Sequence, residues 1–387
     1  MSKYIFCIDE SFHDRKISKK SLISNEFFTP YVCAGIGFIS NQLNNVFNVY
    51  NRFENKYLKF FNVDELKSDI VSRNKYRYGL ATFKDSDLDL YSDYFDILTD
   101  NNIIYYISIL DKIEYLILQC KYDFGRILNQ RGCIYTITKS INIYKPEEVV
   151  NAILNKDNSF IFKLKKFYDE QILLNGDLEL KYTENKAFSE CSKYLADIDP
   201  SDINFDFTYD FIFEGLIKLL NEMDINQDDV DLFLDEEGSE KFYKSSVNNG
   251  FIQAISINSK CCQGVRISDL LAGFVSRFMR AIYLDTYNDP TVPYNKPHHL
   301  SYKWFEIDEK RFDLYKKIAK YFIEYSKYVF STYISIYFDL FAEMIGLLYY
   351  FNAYDSFTDY CKIDACKHFE EATLQIIKRI NSYQLDL

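Results

Sequence analysis

Five apolar runs punctuate the chain and predict buried strands. Residues 4–8 (YIFCI) end at Asp9, and residues 31–39 (YVCAGIGFI) follow a polar, basic connection that contains Lys16, Lys19 and Lys20. Residues 103–110 (IIYYISIL) end at Asp111, residues 230–234 (VDLFL) end at Asp235, and a short run follows at 254–257. Between the second and third runs, Leu43, Val46, Phe47, Tyr50, Phe53, Tyr57 and Phe61 recur at helical spacing, which predicts a helix with its apolar face on a sheet. Further helices are expected over 86–98, from Ser239, and from about Val265, the last carrying Asp269 in its first turns.

From 112 to 229 the pattern is predominantly helical, with turn signals at Lys145-Pro146, Asn175-Gly176 and Asp199-Pro200. Past Asp285, a loop containing Pro290, Pro293 and Pro297 leads into a helical tail. The expected organisation is therefore α/β. Residues 1–111 form the first half of a core in which helices flank a mixed sheet, and 230–285 form the second half with its closing helix. A helical insertion over 112–229 and a helical extension over 286–387 offer surfaces for a protein partner or a second copy of the chain. The run 329–351 is long enough to suggest a membrane span, but Asp339 and Glu343 in its middle favour a buried or oligomerising helix, so no membrane association is expected.

Composition narrows the functional classes. A chain of 387 residues has ample material for a large core. Its 34 Tyr and 34 Phe accompany few Gly and Pro and many Asn, Lys and Ile, a nucleotide-composition bias, so the aromatics carry no argument for base stacking. A net charge of −12 opposes general affinity for duplex nucleic acid, which comes from Lys and Arg neutralising phosphates. Divalent cations bound among carboxylates would reverse that locally. The start MSKYIFCIDESF shows no secretory pattern, and nine cysteines without framework spacing suit reduced thiols, so a cytoplasmic location is expected.

An unpaired carboxylate at the end of a buried strand costs folding free energy. Asp9 and Asp235 end such strands, and Asp269 sits among Ile267, Leu270 and Leu271 on a core-facing helix. Each alone reads as a cap or a turn residue. Three in one α/β pattern match the all-oxygen donor set that Mg²⁺ or Mn²⁺ requires. Asp111 also ends a strand and is held in reserve, whereas Glu10 and Glu236 alternate to the opposite face. Other chemistry is thin. His298 and His299 fall in the Pro-rich loop, Cys361, Cys366 and His368 read as core thiols with a nearby histidine, and no nucleophile elbow, P-loop or dinucleotide fingerprint follows a strand.

Four segments, IDES (8–11), ELKS (65–68), FLDEEGS (233–239) and SKCCQGVRISDLLAGFVSR (259–277), resemble the bacterial domain-of-unknown-function 3800 family. The resemblance covers 3–280 in pieces and departs from the family's pattern at Phe12, His13, Arg266 and Ser268. It implies a ribonuclease-H-like fold in which Glu65 joins Asp9, Asp235 and Asp269 in a two-metal site. In that reading Asp9 is the shared ligand, Asp235 and Asp269 each complete one metal's shell, and Glu65 holds a metal or orients the water. Lys67 and Lys260 would contact the scissile phosphate or neutralise the cluster. Arg266, Arg277 and Arg280, with Lys163, Lys165 and Lys166, are candidate nucleic-acid contacts, though a solvated stripe is the favoured reading of the arginines.

The expected function is metal-dependent phosphodiester hydrolysis of RNA or DNA, and the habit of such families adds a role as a bacterial phage-defence or toxin effector. The alternative is a catalytically inactive scaffold or partner-binding module. Transposase-like strand transfer is a third reading, disfavoured because no basic recognition helix is evident.

Overall fold

A computed structural model of the chain describes residues 3–11, 30–111, 113–115, 131–196, 208–236, 240–286, 300–324 and 336–385. The five expected strands are present as β1 (Tyr4–Ser11), β2 (Pro30–Ile39), β4 (Ile104–Asp111), β5 (Val230–Asp235) and β6 (Ala254–Ile257), with a four-residue strand β3 (Arg77–Leu80) outside the sheet. They form one mixed sheet in the order β4-β2-β1-β5-β6. β1 pairs antiparallel with β2, and β2 with β4, while β1 to β5 and β5 to β6 are parallel. β1 is thus central, and its apolar run is buried on both faces, as a continuous rather than alternating pattern requires.

One face, carrying Ile5, Cys7, Ala34, Ile36, Tyr105 and Ile107, is covered by α1 (Leu43–Phe61), α2 (Asp85–Asp100) and the long helix α9 (Gln263–Thr286). On α1 the stripe Val46, Tyr50, Phe53 and Tyr57 is the buried one, as its spacing predicts. The other face, with Phe6, Ile8, Leu232 and Leu234, packs on Phe211, Leu216 and Leu220 of α7 (Asp210–Glu222) and on Phe242 of α8 (Lys241–Asn248).

The insertion has its own core. Ile137 and Ile141 of α3 (Arg131–Tyr144), Val149 of α4 (Glu147–Leu154), Leu164 and Tyr168 of α5 (Phe160–Asn175), and Phe188 of α6 (Tyr182–Leu195) pack together. α7 stands apart from them and serves as a sheet-covering helix. The tail helices α10 (Glu309–Glu324), α11 (Ile336–Asn352) and α12 (Ala365–Leu385) extend the first face, with Phe322, Met344, Leu348 and Ile376 in one cluster with the sheet. Among the described residues no helix is long and apolar enough to cross a membrane.

Three expectations need correction or placing. Arg266, Arg277 and Arg280 form no solvated stripe, because all three are buried, at 8%, 8% and 7% exposure. Cys361 and Cys366 are exposed rather than core thiols, while His368 beside them is buried and stacks on the Tyr360 ring with centroids 3.7 Å apart. The segments holding Lys16, Lys19, Lys20, Pro200, Pro290, Pro293, Pro297, His298 and His299 lie outside the described residues.

Candidate metal centre

The parallel pairing of β1 with β5 sets Ile8 opposite Leu234, so the next residues, Asp9 and Asp235, emerge side by side on the face that α9 covers. Glu10 and Ile8 point the other way, and the Glu10 carboxylate accepts a hydrogen bond from the Tyr31 hydroxyl at 3.0 Å. Glu236 is exposed.

Two glycines bring α9 close enough to add a third carboxylate. A Cβ on Gly264 would stand 2.2 Å from Cys7 Sγ, so only glycine lets the helix start lie on β1. Ser268 Oγ then donates to the Cys7 carbonyl at 2.7 Å, and Ser276 Oγ to Ser11 Oγ at 2.9 Å, which runs the helix along the strand. One turn past Asp269, a Cβ on Gly273 would meet Ser68 Cβ at 2.2 Å, so the ELKS segment rests directly on the helix. There Ser68 donates twice to Asp269, from its backbone N–H to Oδ2 and from Oγ to Oδ1, both at 2.7 Å.

The electrostatics tie the three aspartates together. Burial raises the Asp9 carboxyl well above the ordinary aspartate range, and the negative charges of Asp269 and Asp235 raise it further, against a hydrogen bond from the Glu10 N–H and the charge of Lys67. Asp269 is also raised by burial, opposed by its two bonds from Ser68 and by the charges of Arg277 and Lys67. Lys67 additionally pairs with Glu65 at 3.6 Å, and the other Glu65 oxygen accepts from Ser259 Oγ at 3.2 Å. Glu65 therefore flanks the aspartates, joined to them through Lys67.

Lys260 does not enter this cluster in the described contacts. Its side chain is exposed in the turn before α9, and its carbonyl accepts from Arg266. Asp111 stands on the same sheet edge but two strands away, its carboxylate taken up by the N–H groups of Ile113 and Glu114 and the amide of Asn142. Arg266 is a positioning group. It holds Glu54 of α1 through Nε and Nη2 at 2.6 and 2.9 Å, and its Nη1 donates to the Ser259 and Lys260 carbonyls at 2.6 and 3.1 Å. Lys163 and Lys166 are engaged with Asp157 and with Glu148 and Glu170 on the insertion surface.

Sequence reasoning passed over Ser68 and Ser259 as orienting donors, although both stand inside the quoted motifs. It also missed Cys262, whose thiol is lowered to about 6 by a hydrogen bond from Cys7 and by the N–H groups of Val265 and Gly264 at the start of α9. The donor chemistry fits a hard cation, with carboxylate oxygens only, one of them buried and repelled by its neighbours. Among the described residues no three His, Cys, Asp or Glu side chains are already gathered at ligand spacing, so cation binding would draw the aspartates inward.

What the fold defines is a mixed α/β protein with a carboxylate cluster at the ends of its central strands. Comparisons with family models, curated proteins and solved structures find no match.

Proposed function

We propose that the chain is a divalent-metal-dependent nuclease with a ribonuclease-H-like core. The observation that carries this reading is the set of charges around Asp9 of β1, where the carboxylates of Asp269 on α9 and Asp235 on β5 add to burial in raising its affinity for a proton. An antiparallel β1-β2-β4 meander continued by two parallel strands, with the carboxylate on the central strand, supports the fold assignment. Asp9, Asp235 and Asp269 would hold Mg²⁺ or Mn²⁺, with Glu65 beside them. Bound there, a pair of such ions supplies a metal-activated water and a stabilised leaving oxygen for phosphodiester hydrolysis. Ser68 holds the Asp269 carboxylate in one orientation, Ser259 does the same for Glu65, and Lys67 places a positive charge where a phosphate would approach.

The test is incubation with labelled single- and double-stranded RNA and DNA in Mg²⁺ or Mn²⁺, beside Asp235→Asn and Asp269→Asn. Cleavage by the wild type should be lost in both variants, and equal cleavage by all three ends the assignment.

A specific surface favours a second reading, a partner-binding module. Leu173 and Leu174 at the end of α5, Leu180 in the turn beyond it and Tyr182 at the start of α6 are 81%, 76%, 77% and 70% exposed. Metal-dependent cleavage abolished by the aspartate variants would set this reading aside as the primary function.

A further inference from the structure

A second group of buried oxygens lies away from the carboxylate cluster, where the end of β4 meets helix α3 of the insertion. Asp111, Glu114, Thr138 and Asn142 are at most 2% exposed. The Asn142 amide nitrogen donates to Asp111 Oδ2 at 3.1 Å and to the Thr138 carbonyl at 3.0 Å, which sets the Asn142 amide beside the Asp111 carboxylate. Among the described residues the Asn142 amide oxygen has no hydrogen-bond partner, and neither has Glu114 Oε2 or Thr138 Oγ1. A buried polar atom left in this state costs about 1–3 kcal/mol, more when charged, so three on neighbouring residues call for an occupant. Glu114 also lies close enough to Asp111 for that carboxylate to raise its own carboxyl, on top of the larger effect of burial.

We propose that Asp111, Glu114 and Asn142, with the Thr138 hydroxyl, bind a divalent cation that fastens the helical insertion to the sheet. The donors are all oxygen and include two carboxylates, the set that Ca²⁺, Mg²⁺ or Mn²⁺ takes and that softer metals do not need. A cation there would meet the three orphaned oxygens at once and offset the mutual repulsion of the two acids. Because Asp111 belongs to β4 and Asn142 and Thr138 to α3, the ion would bridge two elements with separate cores.

The competing occupant is a proton. A Glu114 carboxylic acid donating to the Asn142 oxygen would satisfy two of the three orphans without metal. Calorimetric titration with Mn²⁺ and with Ca²⁺ separates the two, using full-length protein carrying Asp9→Asn and Asp269→Asn so that the proposed nuclease centre is disabled. In that background one equivalent of cation should still bind and should raise the thermal midpoint reversibly with chelator. Glu114→Gln, which keeps shape and loses charge, should abolish both effects. Asp111 also caps the following turn, so Asp111→Asn can fail to fold, and Glu114→Gln carries the decision. No binding in the background protein, or binding that survives Glu114→Gln, overturns the site and leaves the protonated acid.

Discussion

Replacing Arg266 by Met should destabilise the protein by about 3–5 kcal/mol, the cost of leaving one member of a buried ion pair without its partner. The magnitude follows from the surroundings of the pair. Both side chains are about one-tenth exposed, 10% for Arg266 and 11% for Glu54, so solvent screens the interaction little. The contact is bidentate, and the two carbonyls that Arg266 also serves, on Ser259 and Lys260, lie in a half-open turn where water can replace it. The damage should therefore come mainly from the uncompensated Glu54 charge.

That attribution has its own test. Glu54→Leu combined with Arg266→Met removes both charges, and buried pairs exchanged for apolar residues are often neutral or better. The double variant should recover all but about 1 kcal/mol, roughly one hydrogen bond's worth. Trp304 is the single tryptophan and is fully buried, so its fluorescence reports unfolding in urea. Midpoints compared at unchanged slope give the differences. A single variant within about 1 kcal/mol of wild type would refute the reasoning. So would a double variant no better than Arg266→Met, since Glu54 would then not be the source of the cost.

Other perturbations follow from the same geometry. Gly264→Ala should cost about 1–3 kcal/mol by overpacking against Cys7, and Cys7→Ala in the same chain should return part of it; urea midpoints that do not couple would show that α9 does not rest on β1 there. Ser68→Ala removes the side-chain donor to Asp269 and, if Asp269 holds a cation, should weaken Mn²⁺ binding by about 10–100-fold with the fold intact, measured by calorimetry. Asp9 holds its proton more tightly folded than unfolded, so without metal its contribution is lost as pH rises from the ordinary aspartate range towards the higher folded value. In chelator, Asp9→Asn should therefore be more stable than wild type at pH 7.5 and gain nothing at about pH 3, below the ordinary range; a variant equally stable at both would mean that the carboxyl is not strained by its neighbours.

The first strand was legible because a buried central strand must be apolar on both faces and YIFCI carries that run up to Asp9, while VDLFL was legible from the buried Val230, Leu232 and Leu234 that alternate up to Asp235. Asp9 and Asp235 were legible for the same reason, since a charge that ends such a run needs a partner. Helix α7 reads like the insertion helices before it, and only the exposed or buried state of its neighbours assigns it to the sheet. The arginines of α9 misled because a sequence displays a charge and not what it meets. Glu54 is 212 positions from Arg266, yet it had left a trace: it sits on the apolar stripe of α1, between Phe53 and Tyr57, where an acid needs an inward cation. Ser68 and Ser259 left none, because serine is as common in loops without a task as in loops with one.

The acidic character of the chain and a phosphate-binding site are compatible once charges are counted locally. Among the described residues, four carboxylates, Asp9, Glu65, Asp235 and Asp269, stand with two cationic groups, Lys67 and Arg277, which leaves two negative charges in excess. Without metal the excess adds to burial in raising the carboxyl of Asp9, the most buried of the set. One divalent ion would neutralise the cluster and two would make it positive, so a phosphodiester is attracted only after metal has entered. Because a carboxylate must be deprotonated to ligate, a raised Asp9 carboxyl makes cation affinity rise with pH. The net charge of −12 is therefore no bar to a nucleic-acid substrate. In the proposed function, recognition would depend on the ions rather than on basic side chains, in keeping with α9 burying its three arginines instead of presenting them.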